Sequence, residues 1–147
     1  MITQTHCAAI HSSLERLTCP PIELVECFYD TLFDMAPEVE PFFRGDMMKQ
    51  YEKLQDMLML VTHSLSNLSA LVVAVEDLGK RHVGYGAAEA HYEVVGAALL
   101  QALEQKVADW SEEDSDAWGT LYGYLSDLMI SGAREITLAE DQVAKSA

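Results

Sequence analysis

Several residues able to bind a metal or donate hydrogen bonds lie on otherwise apolar helical faces of this chain. Between residues 71 and 78 the apolar side chains recur at spacings of four and three, and His82 is the next member of that stripe. Gly84 and Gly86 follow and are expected to end the helix just beyond the histidine. The imidazole of His82 is therefore predicted to point into the interior from the last turn of a helix.

Two interpretations fit a histidine at this position. In one, it is a core residue whose ring is satisfied by nearby groups. In the other, one ring nitrogen donates to a free carbonyl in the last turn of its own helix while the second nitrogen binds a metal. One histidine cannot build a tetrahedral zinc site, which needs several protein ligands, but it can supply the axial bond of a haem iron.

Two polar side chains on neighbouring helical faces are candidates for the same pocket. Gln50 begins an apolar stripe that continues to residue 61, and Tyr29 lies among apolar residues of the 25–32 segment. An amide buried without a partner costs about 1–3 kcal/mol, so Gln50 must find a partner or lie at the mouth of a cavity. The alternatives are a helix end that reaches water for Gln50 and an ordinary core position for Tyr29.

The other histidines carry less weight, because they lie off the apolar stripes or far from this region. His91 is expected to cap a helix or to face solvent, His63 to be exposed, and His6 and His11 to lie in the first helix. The sequence shows no serine elbow, no glycine loop for phosphate and no helical H-E-x-x-H.

Composition bounds the class of protein. A length of 147 residues predicts one domain spanning 1–147. The formal net charge of −15, from 24 acidic and 9 basic residues, disfavours nucleic acid and anionic membranes as partners. No apolar run reaches the ~18–20 residues of a membrane span, and no secretory signal is recognisable. The odd number of cysteines, without metal-ligand spacing, predicts reduced thiols in a cytoplasmic protein.

The chain has helical periodicity throughout, and no segment alternates as a half-buried strand does, so we expect an all-α fold with about seven helices. Asp46 is a candidate cap for a long helix, and Ser111 to Asp114 resembles a capping box. The expected helices run from Gln4 to Leu17, Pro21 to Met35, Pro37 to Phe43, Asp46 to about Leu65, after Asn67 to His82, over about twenty residues after Gly86, and from Ser111 onward.

Four segments in order resemble the globins, and among them the bacterial single-domain haemoglobins related to the globin module of flavohaemoglobins. They lie between Cys27 and Ile130 and read CFYDTLFDMAPEVEPFF, MMKQYEKLQDMLMLV, LGKRHVGYGAAEAHYEVVGAALL and DAWGTLYGYLSDLMI. The resemblance implies a globin fold, a three-over-three helical sandwich with crossings of about 50° around haem b.

The resemblance also implies roles for individual residues. His82 matches the proximal ligand of the haem iron, and Phe43 matches the phenylalanine that stacks on the porphyrin. Tyr29 and Gln50 match the distal hydrogen-bonding pair, and Leu54 matches the apolar wall above the iron.

Three further residues are assigned on the same basis. Lys53 and Arg81 are candidates for contacts to the haem propionates, with simple solvation as the alternative. Tyr92 matches a tyrosine that couples to the proximal histidine.

Two departures from flavohaemoglobins affect the expected activity. This chain ends soon after Lys145, without flavin and nicotinamide domains, so it is not expected to reduce its own iron. Ala133 occupies the position of a glutamate that activates the proximal histidine, and Glu135 should face elsewhere because each helical residue rotates the side chain by roughly 100°. A binding protein is therefore favoured over a dedicated enzyme.

The function predicted from sequence is reversible binding of O₂, with NO and CO as further ligands, for oxygen storage, transport or delivery. Two distal donors predict slow O₂ dissociation and high affinity. One alternative is an NO dioxygenase that depends on a separate reductase. Another is a haem-based or haem-less regulatory globin. The protein is expected to be a monomer or homodimer.

Overall fold

The protein is described by a computed structural model that covers residues 2–84 and 87–146, with side chains through residue 83 and from 87 to 136. Six α-helices and two 3-10 helices make up the described chain, which confirms the all-α prediction. The α-helices are α1 (Gln4–Glu15), α2 (Pro21–Met35), α3 (Met47–His63), α4 (Val72–Gly84), α5 (Glu89–Lys106) and α6 (Glu112–Ser146). The 3-10 helices are Pro37–Phe42 and Leu65–Leu71.

The predicted helix starts are confirmed by their caps. The Asp46 carboxylate accepts a hydrogen bond of 2.9 Å from the Met48 amide at the start of α3. At the start of α6, the Ser111 amide donates to Asp114 at 3.0 Å and the Asp114 amide donates to Ser111 Oγ at 3.3 Å. These reciprocal bonds form the expected capping box.

Two helix ends differ from the sequence prediction. Helix α1 stops at Glu15 because Leu17 leaves the helix to form a β-bridge with Val107, just past the end of α5. The predicted break at Asn67 is present, with φ of −147° and ψ of 53°, but it lies inside a 3-10 helix, Leu65–Leu71, so that α3 already ends at His63 and α4 begins only at Val72. Gly86, predicted to help end α4, lies outside the described residues.

The helices form two layers, with α1, α3 and α4 packed over α2, α5 and α6. Contacts between the layers join α1 to α6, α2 to α3 and α4 to α6. The largest side chains at the centre of the core include Ile10, Leu32, Leu103 and Trp118. The Trp118 indole donates to Ser13 Oγ at 2.8 Å, so the one polar atom of this ring is satisfied inside the core.

Helices α4 and α6 cross with their backbones in direct contact. A methyl group built on Gly79 would overlap the Met129 carbonyl oxygen, and one built on Gly132 would overlap the Glu76 carbonyl oxygen. Only glycine permits so close an approach at these two positions. The crossing fixes α4, and therefore His82, relative to α6.

Within the described residues, no single helix is long and apolar enough to cross a membrane. The segments 47–63 and 65–83 are together long and apolar enough for a membrane span, but the chain bends by 116° between them.

Candidate ligand-binding pocket

Several of the sequence-predicted ligand-binding residues lie on helices α3 and α4, which follow one another along the chain. Both α3 and α4 pack against the second 3-10 helix, which lies between them in the chain. Gln50 and Leu54 on α3 and His82 on α4 are all half-buried, and Leu54 packs against the hydrophobic core. Helix α3 therefore carries a half-buried amide and a half-buried apolar side chain, and α4 carries a half-buried imidazole.

The partner of Gln50 is Tyr29. The Gln50 side-chain amide donates to the Tyr29 hydroxyl oxygen at 3.0 Å, and Tyr29 is only 4 % exposed. Since the phenolic oxygen accepts this bond, its own O–H proton is directed to another acceptor. Burial raises the pKa of Tyr29, and the bond from Gln50 partly offsets that rise, so the phenol keeps its proton near neutral pH.

Aromatic rings surround this hydrogen bond. The Tyr29 ring lies 5.3 Å from the Phe43 ring, centroid to centroid, in an edge-to-face arrangement at 74°. Phe33 lies 5.4 Å from Phe43, and Tyr51 lies 5.5 Å from Tyr29. Phe43 follows the first 3-10 helix directly, so the end of that helix delivers its ring to the cluster. The phenol of Tyr29 is thus held in a largely apolar setting that strengthens any hydrogen bond it donates.

The His82 ring is oriented by its own helix. Its Nδ1 lies 2.8 Å from the carbonyl oxygen of Leu78, which lies one turn earlier inside α4 and is not one of the free last-turn carbonyls considered from sequence. Because a carbonyl only accepts, this contact assigns the proton to Nδ1 and the lone pair to Nε2. Burial lowers the pKa of His82, the bond to Leu78 opposes this, and the nearby charge of Arg81 lowers it further. A neutral imidazole with its lone pair on Nε2 is the form that binds a metal.

The remaining predicted site residues lie on α3, α4 and α5. Lys53 and Arg81 are exposed, on α3 and α4 respectively. Tyr92 is half-buried in the first turn of α5, and its backbone carbonyl accepts a hydrogen bond of 2.5 Å from the Tyr122 hydroxyl. The Glu135 carboxylate lies 3.2 Å from Lys80 Nζ, in an ion pair that joins α6 to α4.

The other histidines lie where sequence placed them or have structural partners. His63 is exposed, and His91 caps α5 by accepting a hydrogen bond of 3.0 Å from the Ala88 amide. His6 lies 3.0 Å from Asp116, and His11 lies 3.1 Å from the Thr62 carbonyl oxygen. The described residues contain no cluster of three or more histidine, cysteine or acidic side chains able to hold a metal ion.

Sequence reasoning missed Tyr51 and the glycine crossing. Tyr51 lies on the same helical stripe as Leu54 and Leu58, at spacings of three and four, so its inward position was readable from the sequence. Gly79 was readable as a glycine inside a helix, a costly choice that usually marks close packing.

Comparison with protein families and relatives gives a consistent result. The family model described as Globin matches residues 26–129. A flavohemoprotein of Bacillus thuringiensis subsp. konkukian is 29% identical over 134 residues, covering 89% of this chain and 33% of the relative. The chain therefore spans about a third of the length of the curated relatives it matches.

Solved structures show the same architecture. A bacterial globin from Campylobacter jejuni is 26% identical, with a TM-score of 0.78 over 92% of this chain and 99% of that one. An engineered carbene transferase from Rhodothermus marinus, made from a provisionally assigned nitric oxide dioxygenase, is 22% identical, with a TM-score of 0.84 over 96% and 99% of the two chains. The three-over-three arrangement predicted from sequence is confirmed.

Proposed function

The chain belongs to the globin family, whose cofactor is haem, and we propose that it binds O₂ reversibly at an iron held by His82. The observation that carries this proposal is the hydrogen bond from Gln50 to Tyr29 at 3.0 Å. It turns the Tyr29 hydroxyl into an oriented donor inside an apolar cluster. NO and CO are proposed as further ligands of the same iron.

The residues present fit a haem. The porphyrin supplies its own nitrogens and requires one axial bond from the protein, which Nε2 of His82 provides. The haem is proposed to lie between α3 and α4, where Phe43 and Leu54, which both pack against the hydrophobic core, would supply apolar surface. Lys53 and Arg81, as exposed cations on the two bordering helices, are proposed to meet the propionates. Tyr92 is proposed to support the proximal side.

The two distal residues have unequal roles in this proposal. Haem iron, when bound, supplies the atom to which O₂ attaches and polarises it. Tyr29 donates its O–H to the polarised ligand, in a low-dielectric setting where such a bond is strong. Gln50 uses its N–H on Tyr29 and acts mainly by holding the phenol in place. This refines the expectation of two equivalent donors.

The O₂ dissociation rate tests the role of Tyr29. A hydrogen bond to a partly charged acceptor is worth about 1.5–3 kcal/mol, so Tyr29→Phe should speed dissociation by about 10- to 100-fold. Gln50→Leu should have a smaller effect in the same direction. Tyr124→Phe, at another half-buried tyrosine, is the matched control. An unchanged dissociation rate in Tyr29→Phe would show that the phenol does not contact the ligand.

The Soret band tests the role of His82. His82→Ala should lose the band or shift it, because the iron loses its axial nitrogen, and added imidazole should restore part of it. His63→Ala replaces an exposed histidine and should leave the spectrum unchanged. A normal spectrum in His82→Ala would exclude His82 as the ligand.

The second candidate function is NO dioxygenation, in which bound O₂ oxidises NO to nitrate and a separate reductase restores the iron. Its support is the 29% identity to a flavohemoprotein, together with the same distal donor. The pairing of Glu135 with Lys80, and alanine at position 133, favour binding over activation. Sustained NO consumption with an added reductase would support the enzyme, whereas a single stoichiometric turnover would support carriage.

The wider assignments are proposals of the same kind. We propose that residues 1–147 act as one globin domain in the cytoplasm, as a monomer or homodimer. A regulatory globin is the least favoured alternative, because the histidine, the phenylalanine and the tyrosine–glutamine pair together fit a ligand-binding pocket.

A further inference from the structure

Tyr51 connects the pocket with the protein surface. Its ring lies 5.5 Å from the Tyr29 ring at an interplanar angle of 35°, and Tyr29 in turn lies 5.3 Å from Phe43. Tyr29 is 4 % exposed, whereas Tyr51 is only half-buried. Two phenols in ring contact therefore lead from the interior to solvent.

The two phenols have different electrostatic surroundings. The Tyr29 oxygen accepts a hydrogen bond from Gln50, which draws electron density away from that ring. Tyr51 lies near Asp30 and Glu26, whose charges, after burial, raise the pKa of its phenol. Both acids are exposed and border an open groove of about 500 Å³ between α2 and α5. Negative charge beside a group favours its loss of an electron, so Tyr51 is the easier of the two to oxidise.

We propose that Tyr29 and Tyr51 form a relay that carries oxidising equivalents from the haem to the surface, where an external phenol reduces Tyr51. The relay rests on the haem position proposed above. The relay's role is protective, since it removes oxidising equivalents before they damage the pocket.

The chemistry balances with hydrogen peroxide as oxidant and a phenol as reductant. Peroxide takes up two electrons and two protons, its O–O bond breaks, and two waters form. Each electron comes from Tyr29, which then takes an electron from Tyr51, and the half-buried Tyr51 releases its proton to water. Each oxidised Tyr51 regains one electron and one proton from a phenol. The sum is one peroxide and two phenols giving two waters and two phenoxyl radicals.

Spin trapping of the haem-loaded protein tests the relay. Protein that shows its Soret band is treated with one equivalent of hydrogen peroxide and a nitroso trap, and the adduct is located by peptide mass spectrometry. We expect the adduct on Tyr51. The Tyr51→Phe variant should lose this adduct but should still show a tyrosyl radical signal in frozen-solution EPR. The Tyr29→Phe variant should form less adduct on Tyr51 for each peroxide consumed. Tyr124→Phe is the control and should change neither signal.

The outcomes separate the relay from the proposed function. An adduct on Tyr124 or Trp110 with none on Tyr51 overturns the relay, as does an undiminished Tyr51 adduct in Tyr29→Phe. In either case a normal Soret band and normal O₂ binding leave the proposed function standing. If the protein binds no haem, both proposals fail. Asp30→Asn, at an exposed position, should lower the Tyr51 adduct and provides a test should Tyr51→Phe not hold haem.

Discussion

The protonation of His82 follows from its surroundings. Burial of the ring lowers its pKa and outweighs the opposing contribution of the bond to Leu78. An unfolded histidine titrates near pH ~6.5, so the unfolded chain takes up this proton at a higher pH than the folded chain does. The stabilising contribution of neutral His82 is present above pH ~6.5 and is lost as the pH falls toward its folded pKa.

The free energy of unfolding of the haem-free protein should therefore decline as the pH falls below ~6.5. His82→Phe should make this decline shallower, because Phe has no proton to bind. Urea titrations at a series of pH values measure the effect, with His63→Phe as the exposed control. A pH profile of His82→Phe identical to that of the parent would contradict the assignment.

At the scale of elements, the crossing of α4 and α6 is the contact most sensitive to a single methyl group. Gly79 and Gly132 are buried where a side chain would meet a carbonyl oxygen of the other helix. Gly119 and Gly123 lie in the same α6, but a methyl group on either would meet nothing within 4 Å. Replacement by alanine should therefore destabilise the protein at Gly79 and Gly132 but stabilise it at Gly119 and Gly123.

Gly79→Ala and Gly132→Ala should each lower the free energy of unfolding by about 1–3 kcal/mol, because the added methyl forces the helices apart. Gly123→Ala should raise it by roughly 0.5–1 kcal/mol, because alanine loses less backbone entropy in a helix. Urea unfolding measures both, and haem loss from Gly79→Ala should also be faster because α4 carries His82. Equal stability of Gly79→Ala and Gly123→Ala would refute the close crossing.

Local sequence signals predicted the helices better than their ends and contacts. The limits of α2, the Asp46 cap and the Ser111 box were readable because they depend on residues within a few positions. The end of α1 could not be read from local sequence, because it depends on a bridge between Leu17 and Val107, which is far away in the sequence. The partner of Gln50 was also hidden, since the pairing with Tyr29 depends on how α2 and α3 pack. The resemblance to globins supplied the pairing that periodicity could not.

At the scale of the molecule, charge is the dominant long-range property. The formal net charge of −15 leaves most acidic groups without a basic partner. Some charges are well placed, as where Arg16 makes bonds of 2.8 and 2.9 Å to the Asp114 carboxylate. The acids of α2 that line its groove, Glu23, Glu26, Asp30 and Asp34, instead share one face. Their repulsion opposes the compact state and is screened by salt.

The thermal midpoint should therefore rise as sodium chloride is increased from ~0.01 M to ~0.5 M. Asp34→Asn should raise the midpoint at low salt and reduce its dependence on salt, because one repelling charge is removed. Calorimetry at fixed pH measures both. A midpoint that falls with added salt would mean that ion pairs such as Arg16–Asp114 outweigh the repulsion.

The backbone contact between α4 and α6 has a mechanical consequence. Side chains between two helices can change rotamer and absorb small shifts, but at Gly79 and Gly132 there is no such layer. The two helices are therefore stiffly coupled at this point, and α4 cannot slide without moving α6. A force that displaces the His82 ring along α4 should therefore also displace α6, instead of being absorbed by side-chain rearrangement within the pocket.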